Sequence, residues 1–229
     1  MNIARQIAFF TGVIPPQTRL VAVSKFHPAE AILEAYNAGQ RIFGESRVQE
    51  LVEKQAVLPQ DIAWHFIGHL QMNKVKYIVP FVDLIHSIDS WKLLEEVNRQ
   101  AAKVERNINV LLQLHIAKET SKFGFSFNEC RELLDGNLWQ NCSHIQICGL
   151  MGMATFTDDE DTVRHEFQSL TSFFQEIKQR HFSQEKNFRE LSMGMSDDYG
   201  TAIACGSTLV RIGSKIFGER SKSTDCYSE

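Results

Sequence analysis

The stretch Leu20-Val21-Ala22-Val23-Ser24-Lys25 leads directly into Phe26-His27-Pro28. A short apolar run closed by a turn signal reads as a buried strand. A helix-like stretch follows over 28–38, and a second apolar run follows that at 41–45. Strand, helix and strand in this order imply two parallel strands joined by a right-handed crossover. The lysine ends the first strand, where an amine is placed to face a ligand. A solvated lysine at a strand end is the alternative reading of this residue taken alone.

The same alternation continues along the chain. After a leading helix over about 2–13, strands are expected near 20–25, 41–45, 63–68, 83–88, 109–115, 145–153, 190–195 and 208–213. Helix-length stretches lie between them at 28–38, 47–57, 73–80, 91–104, 126–138, 158–180 and 197–205, with a short final helix at 214–219. Eight such units in a chain of 229 residues predict an α/β fold, a (β/α)8 TIM barrel with an extra N-terminal helix. An open doubly wound sheet is the runner-up. No low-complexity linker divides the sequence, so residues 1–229 are expected to form a single domain with a flexible tail at about 221–229.

Composition narrows the function. A hydrophobic content of 43% suffices for a sizeable core, and a net charge of -4 offers no general attraction to nucleic acid or anionic membrane. Cys130, Cys142, Cys148, Cys205 and Cys226 are odd in number and include no C-x-x-C pair, which fits a reducing compartment. The N-terminal apolar run is too short for a signal peptide, and no stretch has transmembrane length. A cytoplasmic protein is expected, and a monomer, with no nucleic-acid or membrane partner.

In a barrel of this kind the chemistry sits at the C-terminal rim of the strands. The polar residues expected there are Lys25, Glu45 with Ser46, the 68–71 turn, Ser87 with Asp89, Ser196, and Gly213 with Ser214; Met151 ends up on the same rim. The segments around Ser196 and Gly213-Ser214 each join a strand to a helix start, where glycine permits close approach and hydroxyls stand beside exposed N–H groups. They read as a phosphate cradle on the last two strands, or as ordinary turn and N-cap serines. A lysine and a phosphate site on one rim suggest a phosphorylated aldehyde, and pyridoxal 5′-phosphate (PLP) fits both. Arg211, just before the Gly213 turn, suits a pyridine nitrogen, or else a paired barrel arginine.

These residues carry a family resemblance. The matching stretches include Val23-Ser24-Lys25 with Pro28, Phe43-Gly44-Glu45 with Val48-Gln49-Glu50, His65 through Lys74, and His86-Ser87-Ile88-Asp89. They continue with Ser121-Lys122-Phe123-Gly124, Gly149-Leu150-Met151, Leu191 through Asp198, Gly206 through Gly213, and Ile216-Phe217-Gly218. In joint order and spacing, residues 20–220 resemble the pyridoxal phosphate homeostasis proteins, single-domain relatives of the alanine racemase barrel. The resemblance implies a Schiff base on Lys25, a phosphate held by Ser196, Gly213 and Ser214, Arg211 at the ring nitrogen, and Met151 among the cofactor contacts. Ser46 stands where many relatives have Asn, so that residue's role is not carried over. Asn73 and Lys74 read either as contacts to a ligand or anionic partner, or as a helix cap and a surface lysine.

Other conspicuous residues read as structure. His65 and His69 lie on a strand and turn, so their spacing predicts no metal site. Met151, Met153, Met193 and Met195 are expected to pack, one of each pair inward and the other against the helices. Phe167, Leu170, Phe173, Phe174 and Ile177 recur at helical spacing and should face the barrel, and 158–161 should open a helix. Racemization needs a proton base on each face of the bound amino acid. Lys25 serves one, and Tyr199, the nearest candidate for the other, is expected to be exposed. The expected function is therefore PLP storage and transfer to apo-enzymes, with no catalytic residues of its own. A PLP-dependent racemase and a Schiff-base aldolase are the alternatives. Lys74 and Lys122 rank below Lys25 as aldehyde sites because neither ends an apolar strand.

Overall fold

The computed structural model describes residues 2–117 and 123–218. Ser121, Lys122, Glu219, Cys226 and the tail at 221–229 lie outside the described residues. The chain opens with helix α1 (Ile3–Val13), whose N-cap Asn2 accepts a hydrogen bond from the backbone N–H of Arg5 at 2.8 Å. Strands β1 (Arg19–Val23), β2 (Ile42–Glu45), β3 (Ala63–Phe66), β4 (Leu84–Ile88), β5 (Ile108–Leu114), β6 (Ile145–Gly152), β7 (Glu190–Ser192) and β8 (Leu209–Ile212) then pair in sequence order. Every pairing is parallel, and β8 returns to β1 with Val21 opposite Arg211, so the sheet closes into a barrel. The expected (β/α)8 TIM barrel with its extra N-terminal helix is the observed fold.

The helices between the strands are α2 (Ala29–Asn37), α3 (Val48–Val57), α4 (Val75–Ile78), α5 (Trp91–Lys103), α6 (Phe127–Asp135), α7 (Glu160–His181), α8 (Tyr199–Ala204) and α9 (Ser214–Phe217). Local chemistry starts several of them. Ser90 caps α5, and Ser126 with Glu129 forms a reciprocal capping box on α6. Asp159 caps α7 through the N–H groups of Asp161 and Thr162, as the acidic run at 158–161 predicts. On α7, Val163, Phe167, Leu170, Phe173, Phe174 and Ile177 are all buried against the barrel, each stabilising the fold by roughly 1.5–3 kcal/mol relative to exposure.

Three elements differ from their sequence pattern. The helix expected over 73–80 begins as a 3-10 turn, Met72–Lys74, before α4. The 126–138 helix stops at Asp135, because Asn137 takes a left-handed φ of 55°, and a 3-10 turn at Leu138–Asn141 follows. Strand β7 ends at Ser192 instead of 195, since Gly194 turns the chain at φ 93°.

The barrel interior holds an apolar layer of Val21, Leu84, Leu111, Cys148, Met151 and Leu209, with Met153 packed on it. Met151 and Met153 therefore share a face, correcting the expected division between core and helices: residues two apart on a strand point the same way. Met193 lies in the outer core, and Met195, beyond the end of β7, is exposed at the rim. At Gly149 the β5–β6 register shifts, a bulge that a φ of 151° accommodates.

Candidate functional site

A cavity of about 790 Å³ opens at the C-terminal rim of the barrel. Lys25 lines it from the end of β1, Ser196 from the loop after β7, and Arg211, Gly213 and Ser214 from β8 and its turn. Because β1 and β8 are neighbours, these groups from opposite ends of the chain meet on one side of the cavity.

The cradle is built by direct contacts. Ser196 Oγ accepts the backbone N–H of Gly213 at 3.4 Å and the hydroxyl of Ser214 at 3.0 Å, which leaves its own O–H to donate. A Cβ on Gly213 would stand 3.0 Å from the carbonyl oxygen of Val23, so glycine keeps this turn tight against the strand that ends near Lys25. Arg211 is 4% exposed; its Nη1 donates to Ser192 Oγ at 2.6 Å and its Nη2 to the carbonyl of Gly152 at 3.1 Å. Burial lowers its pKa to about 10, opposed by the nearby Asp198 carboxylate. His27 also lines the cavity, stacked on Phe217 at 5.1 Å, with its pKa lowered by burial.

Lys25 sits between two gripped neighbours. Lys54 Nζ, on α3, donates to the Ser24 carbonyl at 2.8 Å, to Glu45 Oε1 at 2.7 Å and to Glu50 Oε1 at 2.6 Å. Glu50 Oε1 also accepts the N–H of Phe26, which holds a left-handed φ of 68°. A fully buried carboxyl, Glu45 accepts from Ser24 Oγ at 2.6 Å as well, while its Oε2 has no hydrogen-bond partner. Burial pushes the Glu45 pKa up to about 7 against the pull of Lys54.

The rim residues divide. Ser46 and Gly68 line the cavity with Lys25, and His69 joins them, stacked on Phe123 at 3.8 Å and bonded to Asp89 at 3.0 Å. Glu45 does not line it: Gly44 faces the interior beside Val21, so the next residue points outward to α3. Met151 is 1% exposed in the interior apolar layer and is not among the lining residues. Ser87 is buried, and Asn73 and Lys74 lie in the 3-10 turn away from the cavity. Tyr199 also lies away from it, half-buried with its ring edge-on to Phe10 at 5.6 Å. The expected exposure of Tyr199 overlooked α1, which packs over that side. Sequence reading missed the loop after β6, where Thr155, Phe156, Thr157 and Asp158 line the cavity. Glu166 anchors it by accepting from the N–H and hydroxyl of Thr155, each at 2.7 Å. A polar pair in a mixed-charge segment carried no signal for this.

Among the described residues, no group of three or more His, Cys, Asp or Glu is arranged to hold a metal ion, and no helix is long and apolar enough to cross a membrane. The profile of the alanine racemase N-terminal domain family matches residues 1–221. The pyridoxal phosphate homeostasis protein of Pasteurella multocida is 42% identical over 208 residues, 90% of this chain and 88% of that protein.

The chain belongs to the pyridoxal phosphate homeostasis protein family.

The family extends to mammals: its Bos taurus member is 42% identical over 222 residues, covering 91% of this chain and 80% of that one. Among solved structures, PipY of Synechococcus elongatus without PLP superposes with a TM-score of 0.89 at 39% identity, covering 94% of this chain and all of that one. The same protein with PLP bound gives 0.85 at equal identity and coverage. Alanine racemase of Clostridium difficile, at 14% identity and a TM-score of 0.75, shares the fold over 98% of this chain and 57% of its own.

Proposed function

We propose that this protein binds PLP reversibly through Lys25 and serves its storage and transfer, with little or no turnover. The observation that carries this reading is the meeting of Lys25 with Ser196, Arg211, Gly213 and Ser214 around one cavity. The residues fit the group. A primary amine faces the space an aldehyde needs, two hydroxyls and a crowded glycine turn suit a phosphate, and a buried guanidinium suits a pyridine nitrogen. When bound, PLP supplies an aldehyde that joins a primary amine with loss of water, and hydrolysis reverses the attachment. Lys25 holds the cofactor covalently, Ser196, Gly213 and Ser214 hold its phosphate, and Arg211 donates to the ring nitrogen. Met151 makes no part of the cavity lining and lies in the interior apolar layer against which the lining residue Met153 packs. The relatives named for PLP homeostasis and the PLP-bound PipY support the assignment.

An arginine at the ring nitrogen leaves that nitrogen unprotonated, which weakens the ring as an electron sink and suits holding over turnover. No tyrosine lines the cavity among the described residues, and Tyr199 packs on α1 instead, so Tyr199 is not placed to act as the second proton base for racemization. PLP-dependent apo-enzymes are the acceptors, the chain acts as a monomer, and its place is the cytoplasm.

The test is a peptide map after incubation with PLP and borohydride reduction. The fixed adduct is expected on Lys25, with none formed by Lys25→Ala. An adduct on Lys74 or Lys122 in place of Lys25 would overturn the assignment. Conversion of single-enantiomer alanine to its mirror form, lost in Lys25→Ala, would replace it with a racemase.

A further inference from the structure

A line of polar side chains crosses the barrel interior from the cavity to the opposite mouth. Arg211 Nη1 reaches Ser192 Oγ at 2.6 Å, Ser192 Oγ reaches His86 Nδ1 at 2.9 Å, His86 Nε2 reaches His65 Nδ1 at 2.9 Å, and His65 Nε2 faces Asp83 Oδ2 at 3.5 Å. Arg211, Ser192, His86 and His65 are each at most 4% exposed, and they come from β8, β7, β4 and β3 in turn. Asp83 precedes β4 at the N-terminal end, where its side chain is 55% exposed.

The two ends fix the direction of the chain. A guanidinium only donates, so Ser192 must accept from Arg211 and turn its single hydrogen to His86 Nδ1. His86 then carries its proton on Nε2 and donates to His65, which carries its own proton on Nε2 and donates to the Asp83 carboxylate. The reverse order would aim the bare Nε2 of His65 at a carboxylate and leave the Ser192 hydrogen without its acceptor. Donor-only and acceptor-only termini thus select the same order, and hydrogen bonds aligned this way polarise one another.

We propose that Ser192, His86, His65 and Asp83 are positioning residues for the ring-nitrogen site, a one-way hydrogen-bond relay that orients Arg211 and lets a carboxylate at the far mouth set how strongly it donates. The proposal deepens the PLP reading and rests on it for the role of Arg211. Burial keeps both imidazoles neutral, lowering the pKa of His65 and that of His86 still further, as the relay requires. The other charges acting on the relay are Arg19, which acts on both imidazoles and on Asp83, Glu190, which is bonded to Arg19 at 2.6 Å and acts on His65, and Arg106, which lowers the Asp83 pKa together with His65.

The first arm of the test needs no PLP. Long-range proton–nitrogen NMR correlation of the whole chain at neutral pH is expected to show His65 and His86 each protonated on Nε2 and bare on Nδ1. A proton on Nδ1 of either ring overturns the relay. In the second arm, Asp83→Asn keeps an oxygen acceptor but removes the charge, so Arg211 donates more strongly and the pH midpoint of the bound-PLP absorbance falls by a few tenths of a unit. The thermal midpoint should move by only a few degrees. An unmoved or raised absorbance midpoint overturns the tuning role. A wild-type chain that takes up no PLP would overturn the functional reading while leaving the ring protonation legible.

Discussion

Glu50 Oε1 lies 2.6 Å from the backbone nitrogen of Phe26 and accepts its hydrogen, so a side chain of α3 grips the turn that follows Lys25. Phe26 stands at φ 68°, where a non-glycine residue costs about 1–3 kcal/mol unless its surroundings hold it. Glu50→Ala releases this hold and loosens Lys54 as well. PLP affinity is expected to fall by roughly tenfold, the equivalent of one charged hydrogen bond at about 1.4 kcal/mol. An absorbance titration measures this, and a change below about twofold would show that the grip is dispensable.

Glu45 predicts a pH dependence of stability. Its folded pKa is about 7 and its ordinary value 4.5, so between these the folded chain keeps a proton that the unfolded chain has released. Stability therefore declines as pH rises from 4.5 to 7 and levels off above. Glu45→Gln keeps an oxygen for Ser24 and Lys54 but lacks the titration. Thermal midpoints collected from pH 5 to pH 8 should fall more steeply for the wild type; parallel curves would contradict this.

Two glycines should respond in opposite directions to alanine. At Gly149 a Cβ would stand 1.8 Å from the Glu190 carbonyl oxygen, on a residue at φ 151°. Gly149→Ala is expected to destabilise by roughly 3 kcal/mol or more. Gly200, within α8, has nothing within 4 Å of the added carbon, so Gly200→Ala should stabilise by about 0.5–1 kcal/mol. Urea unfolding distinguishes them, and equal midpoints would refute the steric account.

Gly213 tests the cradle. Its φ of -122° suits any residue, so Gly213→Ala acts through crowding against Val23 alone, at 3.0 Å from the carbonyl oxygen and 3.2 Å from Cβ. The turn must move away from the strand bearing Lys25. A severalfold loss of PLP affinity is expected, with stability changed by less than about 1.5 kcal/mol. Undiminished affinity would place the phosphate elsewhere.

The barrel was legible because most strands are short apolar runs and the longer helices carry a 3.6-residue stripe, as in Phe167, Leu170 and Phe174 on α7. Lys25, Ser196, Arg211, Gly213 and Ser214 were legible because strand ends and glycine turns mark the rim. Which way a side chain points was harder to read. Glu45 and Met151 sit beside rim residues in sequence, yet one faces α3 and the other the barrel interior, because a single step along a strand reverses the face. The line from Arg211 to Asp83 was hidden for another reason: its members come from four different strands and from the residue before β4, and only closure of the ring makes them neighbours.

Pairing of β1 with β8 also has a consequence for synthesis. The amine emerges from the ribosome early, whereas Arg211 and Gly213 follow almost two hundred residues later. A nascent chain stalled before β8 would carry Lys25 without Arg211 and Gly213, the groups that complete its side of the cavity. On the proposed assignment, a complete PLP site therefore forms only once translation has carried the last strand into the ring.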